Sequence, residues 1–397
     1  RNSIRKEPMT AIEHLESRLR TAQLIALAVG VVGTALAAVG WVLDARSFFR
    51  AYLFGYLPWW EIAVGCLGLA MLYQLAGGKW GAAARPFFDA GARTLPLLAL
   101  LFVPIGLGLS EIYPWANASW LADHQLNANR QLYLEPEFFL VRAGAYFLVW
   151  IALALVLTWR TVTRDGRLNT PAEQRLNGVS GLGLVLLAMT VTYAGLDWMM
   201  TLDPYYKSTM FGGIILAGTG VAAMAAVALA VALVPGQITV QAEEPPLVLN
   251  DLGNLLLAFV MVWTYVMFGQ FLITWMGNLP EEVMWYEDRP GVGWQTLIMI
   301  VILFHFILPV FLLLFRGVKR TPQKLFVVAL LVLLMRFANV YWEIAPSWSG
   351  PVFQIHWLDF VTPLAVGGLW TAEFLRNLKP RLAPFLKHDS AKTETRA

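Results

Sequence analysis

Long apolar runs alternate with short polar stretches along this chain, and the alternation predicts ten membrane-spanning helices. A hydrocarbon layer of about 30 Å takes about 20 apolar residues in an α-helix. Windows 22–43, 51–76, 94–113, 137–160, 178–200, 209–234, 250–277, 294–316, 323–343 and 352–376 meet that length. The runs are too long for strands and lack a period-two alternation, which argues against a barrel. The expected fold class is all-α, a polytopic membrane protein. The polar punctuation gives an N-terminal segment over 1–21, two helices within 22–93, one four-helix bundle over 94–234 and a loop at 235–249. A second four-helix bundle over 250–376 and a tail over 377–397 follow.

The two bundles are expected to be parallel repeats. Arg160-Thr-Val-Thr-Arg164 closes span four as Arg316-Gly-Val-Lys-Arg320 closes span eight. Asp197-Trp198 precedes Pro204 as Tyr341-Trp342 precedes Pro346. Chance likeness between apolar helices is the competing explanation.

Basic residues fix the expected orientation. They crowd the N-terminal segment, the turn with Lys79, Arg85 and Arg93, the stretch from Arg160 to Arg175, the turn from Arg316 to Lys324, and the tail. The opposite loops hold only Arg46, Arg50, Arg130, Lys207 and Arg289. By the positive-inside rule both termini are cytoplasmic. The loop 235–249, which holds no basic residue, is the exception. Arg1, Arg5, Lys6 and Glu7 read as a polar lead-in to a helix with no cleavable signal, and the opening on Arg1 instead of Met points to a start further upstream. Tyr and Trp gather at the outer ends as an aromatic belt.

Composition narrows the chemistry. The chain is 58% hydrophobic and 14% charged, with a formal net charge of +3, so no nucleic-acid partner is indicated. One cysteine, Cys66, rules out internal disulfides and sites built from clustered thiolates. Only His305 and His356 fall within spans, and their depths differ by about 10 Å, which argues against a shared haem. Gly218-Thr-Gly220 sits inside an apolar helix, so it reads as a packing feature and not as a nucleotide loop. No metal site is expected.

The ionisable residues within spans carry the functional interest, because each is costly there. Arg336 and Asp359 would lie at equal depth, roughly 10 Å below the outer surface, as a candidate ion pair. Arg142 would lie roughly 7 Å deep, in one outer layer with Asp197, Glu343 and His356. Glu61 and His305 would lie about 15–17 Å deep, close to the midplane. Asp251 marks the inner end of span seven. Two readings compete: paired charges that hold the helices in register, and a proton relay through Glu61, His305, Asp197, Asp251, Glu343 and Asp359. Arg142, Arg336 and His356 are the candidates for a quinol-side or structural ion pair. Pro104 and Pro309 interrupt spans three and eight, which keeps a free-standing transporter in view.

Three stretches carry a family resemblance. They are Asp197-Trp-Met-Met-Thr-Leu-Asp-Pro-Tyr-Tyr-Lys-Ser-Thr-Met-Phe-Gly212, then Asp251-Leu-Gly-Asn through Phe268-Gly-Gln270 to Trp285-Tyr286, then Trp294, His305-Phe306 and Tyr341-Trp342 to Pro346. This order resembles the ActF-type membrane subunit of bacterial alternative complex III, related to the NrfD and polysulfide-reductase membrane subunits. The resemblance is concentrated over 190–350. Thr201 stands where Ser is usual and Tyr206 where Trp is usual. The resemblance implies a cofactor-free subunit of a quinol:cytochrome c oxidoreductase in the bacterial inner membrane. It would contribute a proton path or part of a quinol-side environment. It further implies quinol at or near the chain, and haems and iron–sulfur clusters on partners: an ActC-like membrane subunit, an iron–sulfur subunit and haem c subunits.

Overall fold

The structure is a computed structural model that describes residues 6–124, 126–159, 171–234, 245–289 and 291–396. Arg160 to Arg164, and most of the loop 235–249, lie outside the described residues.

The described residues form helices and turns, without a strand. The main helices are α1 (Lys6–Leu43), α2 (Ala45–Ala76), α3 (Lys79–Ala92), α4 (Pro136–Trp159), α5 (Pro171–Trp198), α6 (Phe211–Leu233), α7 (Pro245–Gly277), α8 (Val292–Val301), α9 (Pro322–Ile344) and α10 (Leu358–Arg396). Nine stretches of described helix are long and apolar enough to cross a membrane. The expected tenth, 352–376, is not among them. It forms the first half of α10, where Asp359, Pro363 and Glu373 dilute the apolar run.

Local chemistry explains the boundaries. Asp44 caps α2 by accepting the Ser47 N–H at 3.1 Å. Gly77 and Gly78, both at positive φ, end that helix, with Gly77 N–H returning to Tyr73 O at 2.9 Å. The third span starts earlier than expected, running from Ala83 through α3 to Leu107. It breaks around Phe102 next to Pro104. Two tyrosines of α2 cover that break: Tyr56 donates to Leu98 O at 3.1 Å and Tyr52 to Leu101 O at 2.8 Å. The other proline break also appears. Pro309 has no N–H to offer the carbonyl of His305, four residues back, and the helix after Val301 widens into a π-turn over Ile302–Ile307.

Helix α2 is not a peripheral addition, whereas α1 is only 22% buried over its apolar window. In α2, 89% of the apolar window is buried within the protein, and α6 follows at 67%. Helix α2 packs on α3, α5, α6 and α10, and α6 packs on α2, α5, α7 and α9. The outer helices turn apolar side chains such as Leu24, Val32, Leu148, Val262 and Phe311 outward, as lipid-facing surfaces do.

Helix α1 runs along α10 through small residues. Gly30 abuts Gly368, Gly33 abuts Ala365 and Gly40 abuts Leu358. A Cβ on Gly33 would lie 2.8 Å from the Ala365 backbone, so nothing larger fits there. Gly33→Leu is expected to cost about 1–3 kcal/mol by overpacking this seam. A lowered unfolding temperature of the purified protein in detergent checks this, and an unchanged value would remove the seam from the forces holding α1.

Candidate functional site

One face of α9 carries the polar centre of the molecule. Residues 332, 336, 339 and 343 recur at helical spacing and point inward. Arg336 forks onto Glu61 of α2, with Nε 2.8 Å from Oε2 and Nη2 2.5 Å from Oε1. Both side chains are fully buried. Its third nitrogen, Nη1, reaches Glu343 Oε1 at 3.5 Å. Asn339 Nδ2 donates to the same oxygen at 2.6 Å. Glu343 Oε2 is buried and has no hydrogen-bond partner among the described residues.

The space for this guanidinium comes from α6. A Cβ on Gly218 would run into the guanidinium of Arg336, and one on Gly65 of α2 would run into Thr219 O of α6. The Gly218-Thr-Gly220 sequence is therefore a packing feature, with the added purpose of housing a buried charge.

Arg289, in the loop between α7 and α8, ties that loop to α9. Its Nη2 donates to Glu343 O at 2.8 Å and its Nε to Trp342 O at 3.3 Å, while Nη1 donates to Trp285 O. The guanidinium lies 3.5 Å from the Trp285 ring centre and 5.1 Å from that of Trp342. This residue lies outside the membrane-spanning stretches. Burial lowers its pKa to about 9, leaving it cationic at neutral pH.

His305 occupies the π-turn on the opposite flank of α9. Its Nδ1 lies 3.1 Å from Val332 O, one helical turn below Arg336. Its ring meets Trp263 of α7 edge-on at 4.5 Å. A polar chain runs through Gln270 and Thr274 of α7: Ser208 donates to Gln270 at 3.0 Å, Gln270 to Thr274 at 3.1 Å, and Thr274 to the Glu282 carboxylate at 3.5 Å.

The predicted residues do not form one site. Arg336 does not pair with Asp359. The arginine faces α2 and α6. Asp359 instead accepts the His356 backbone N–H at 2.8 Å and the Tyr341 hydroxyl at 3.2 Å, at the start of α10. Glu61 and His305 do not bond to each other: Glu61 is held by Arg336, and His305 Nδ1 meets Val332 O. Glu343 leaves the Arg142 layer and joins Arg336. Asp251 is half-buried in α7, about 18 Å along the helix from Trp263.

Arg142 and Asp197 do pair, and their site is saturated. Arg142 donates from Nε at 2.9 Å and from Nη2 at 3.0 Å. Tyr133 and Tyr146 donate to the same carboxylate at 2.7 and 2.8 Å. Arg142 also lies over the Tyr133 and Phe138 rings, at 4.0 and 4.5 Å. A carboxylate receiving four hydrogen bonds from fixed donors is a clamp between α4 and α5.

Asn339, Arg289 and the two tyrosines were not anticipated. The spacing Arg336-x-x-Asn339-x-x-x-Glu343 would have exposed the first, since these positions share a helix face. Tyr146, four residues after Arg142 on α4, shares its helix face in the same way, whereas no such spacing marks Arg289 or Tyr133. The chain matches no protein-family model and no characterised protein.

Two substitutions probe these sites. Arg336→Ala strands Glu61 in a water-free interior and is expected to cost about 3–5 kcal/mol, measured as loss of folded protein on heating in detergent. Tyr146→Phe removes one of the four bonds to Asp197 and is expected to cost about 1 kcal/mol. Thermal unfolding that leaves this variant equal to wild type would mean that the tyrosine does not support the clamp.

Proposed function

We propose that this chain is an ActF-type, cofactor-free membrane subunit of a bacterial quinol:cytochrome c oxidoreductase, and that the Glu61–Arg336–Glu343 cluster moves protons within it. On this reading the chain crosses the inner membrane ten times, with both termini cytoplasmic and two parallel four-helix bundles. An ActC-like subunit, an iron–sulfur subunit and haem c subunits stand beside it. Quinol lies near the outer end, toward His356, Asp359 and Tyr341. The family text over 190–350 supports the assembly.

One observation carries the proton role: two buried carboxylates share one guanidinium, and one carboxylate oxygen, Glu343 Oε2, has no partner among the described residues. In an apolar interior two carboxylates on one cation leave a net charge that is expensive to hold. A proton taken up and given back by Glu343 balances that charge. Glu343 is the member suited to this exchange, because Arg336 forks onto Glu61 and only brushes Glu343. Arg289, bonded to the Glu343 backbone, adds a fixed cation at the outer end.

A scaffold reading is favoured at a different site. The Arg142–Asp197–Tyr133–Tyr146 clamp has every carboxylate oxygen occupied, so Asp197 acts as a structural anchor here and not as a relay member.

Glu343→Gln keeps an acceptor for Asn339 and Arg336 but cannot carry a proton. In the intact complex reconstituted in vesicles, proton release per assembled complex is expected to fall at least about tenfold. Asp197→Asn is expected to lower the yield of assembled complex without changing turnover per complex. Normal proton release in the glutamine variant would end the proton role and leave the scaffold reading.

A further inference from the structure

Beside the charged cluster lies a pair of buried polar atoms that nothing above employs. His305 is fully buried, and a carbonyl can only accept, so the contact with Val332 O places a proton on Nδ1. A neutral ring bonded in this way leaves Nε2 as a bare lone pair. That atom is buried without a hydrogen-bond partner among the described residues. Trp263, 3% exposed, has the complementary defect: its indole N–H is buried and equally unpartnered. The two rings touch edge to face, with centroids 4.5 Å apart. An unpaired acceptor and an unpaired donor, on two touching buried rings, cost about 1–3 kcal/mol each.

The backbone around them is shaped for an insertion. The π-turn over Ile302–Ile307 puts an extra residue into the helix at His305, which re-aims that side chain. Pro309 fixes the position of the turn, because the carbonyl that it cannot serve belongs to His305 itself.

We propose that His305 and Trp263 together bind one internal water molecule. The Trp263 N–H donates to the water oxygen, and the water donates to His305 Nε2. One water satisfies both orphaned atoms and keeps a hydrogen and a lone pair to hand on, which a direct bond between the rings would not. The site deepens the proton-moving reading by giving His305 a proton-conducting neighbour, one helical turn from Arg336. It can still be tested without turnover.

The experiment is solid-state NMR of the full-length protein in lipid, labelled uniformly with 13C and 15N, with Trp263 identified by the indole signal lost in Trp263→Phe. His305 is assigned through its backbone links to Phe304 and Phe306, so no variant of the histidine is needed. The expected spectrum shows Nδ1 protonated, Nε2 unprotonated, and magnetisation passing from water to both Nε2 of His305 and Nε1 of Trp263. In Trp263→Phe the transfer to Nε2 should fall several-fold while the Nδ1 signal stays in place. A proton on Nε2 with Nδ1 bare, or no transfer from water to Nε2 in the wild-type protein, overturns the site. So does transfer that is untouched by Trp263→Phe. Failure of the Glu343→Gln test would leave this result standing, and the reverse also holds, so the two ideas fall separately.

Discussion

The Arg336–Glu61 ion pair sets the terms for the centre of this molecule. Neither residue has access to water, and a charge stranded in a low-dielectric interior costs several kcal/mol even after relaxation. Each therefore requires the other, in a forked geometry that tolerates little displacement. This requirement joins α2 to α9. It obliges α6 to present Gly218 where any larger residue would occupy the guanidinium's place. Three helices from separate parts of the sequence are held together by one polar contact, while apolar packing supplies the bulk of the association.

The second arginine site follows the same rule with a different outcome. Arg142 meets a single carboxylate, and two tyrosines complete the set of donors. Charge and hydrogen bonding close there, and the site has no capacity left for exchange. At Arg336 they do not close: a second carboxylate is present, and one of its oxygens is spare. The difference between a clamp and a site able to exchange a proton lies in this stoichiometry. Both arginines are buried and both are paired.

Helix irregularities concentrate where polar groups are needed. The break near Pro104 presents carbonyls that tyrosines of α2 cover, and the π-turn before Pro309 turns His305 toward Trp263 and Val332. Side chains of one helix bond to carbonyls of its neighbour at or beside both irregular turns. The irregular turns thus bring polar groups into the bundle without exposing backbone to lipid.

The sequence by itself determined the membrane class, nearly all of the helical stretches, the two proline breaks and the short roster of costly charges. These depend on local properties: run length, composition, and the missing N–H of proline. It also placed Arg142 in one layer with Asp197, Glu343 and His356, and packing chose Asp197 among them. The partner of Arg336 was decided by the tertiary structure alone. Depth along a helix can be counted from residue number, but the direction a side chain faces around the axis depends on which neighbours pack there. Counted depth favoured Asp359, and the burial of α2 at the centre, with Gly218 opening the space, selected Glu61 instead. The aromatic cage of Arg289 and the meeting of His305 with Trp263 have the same origin, because each joins segments that only packing brings together.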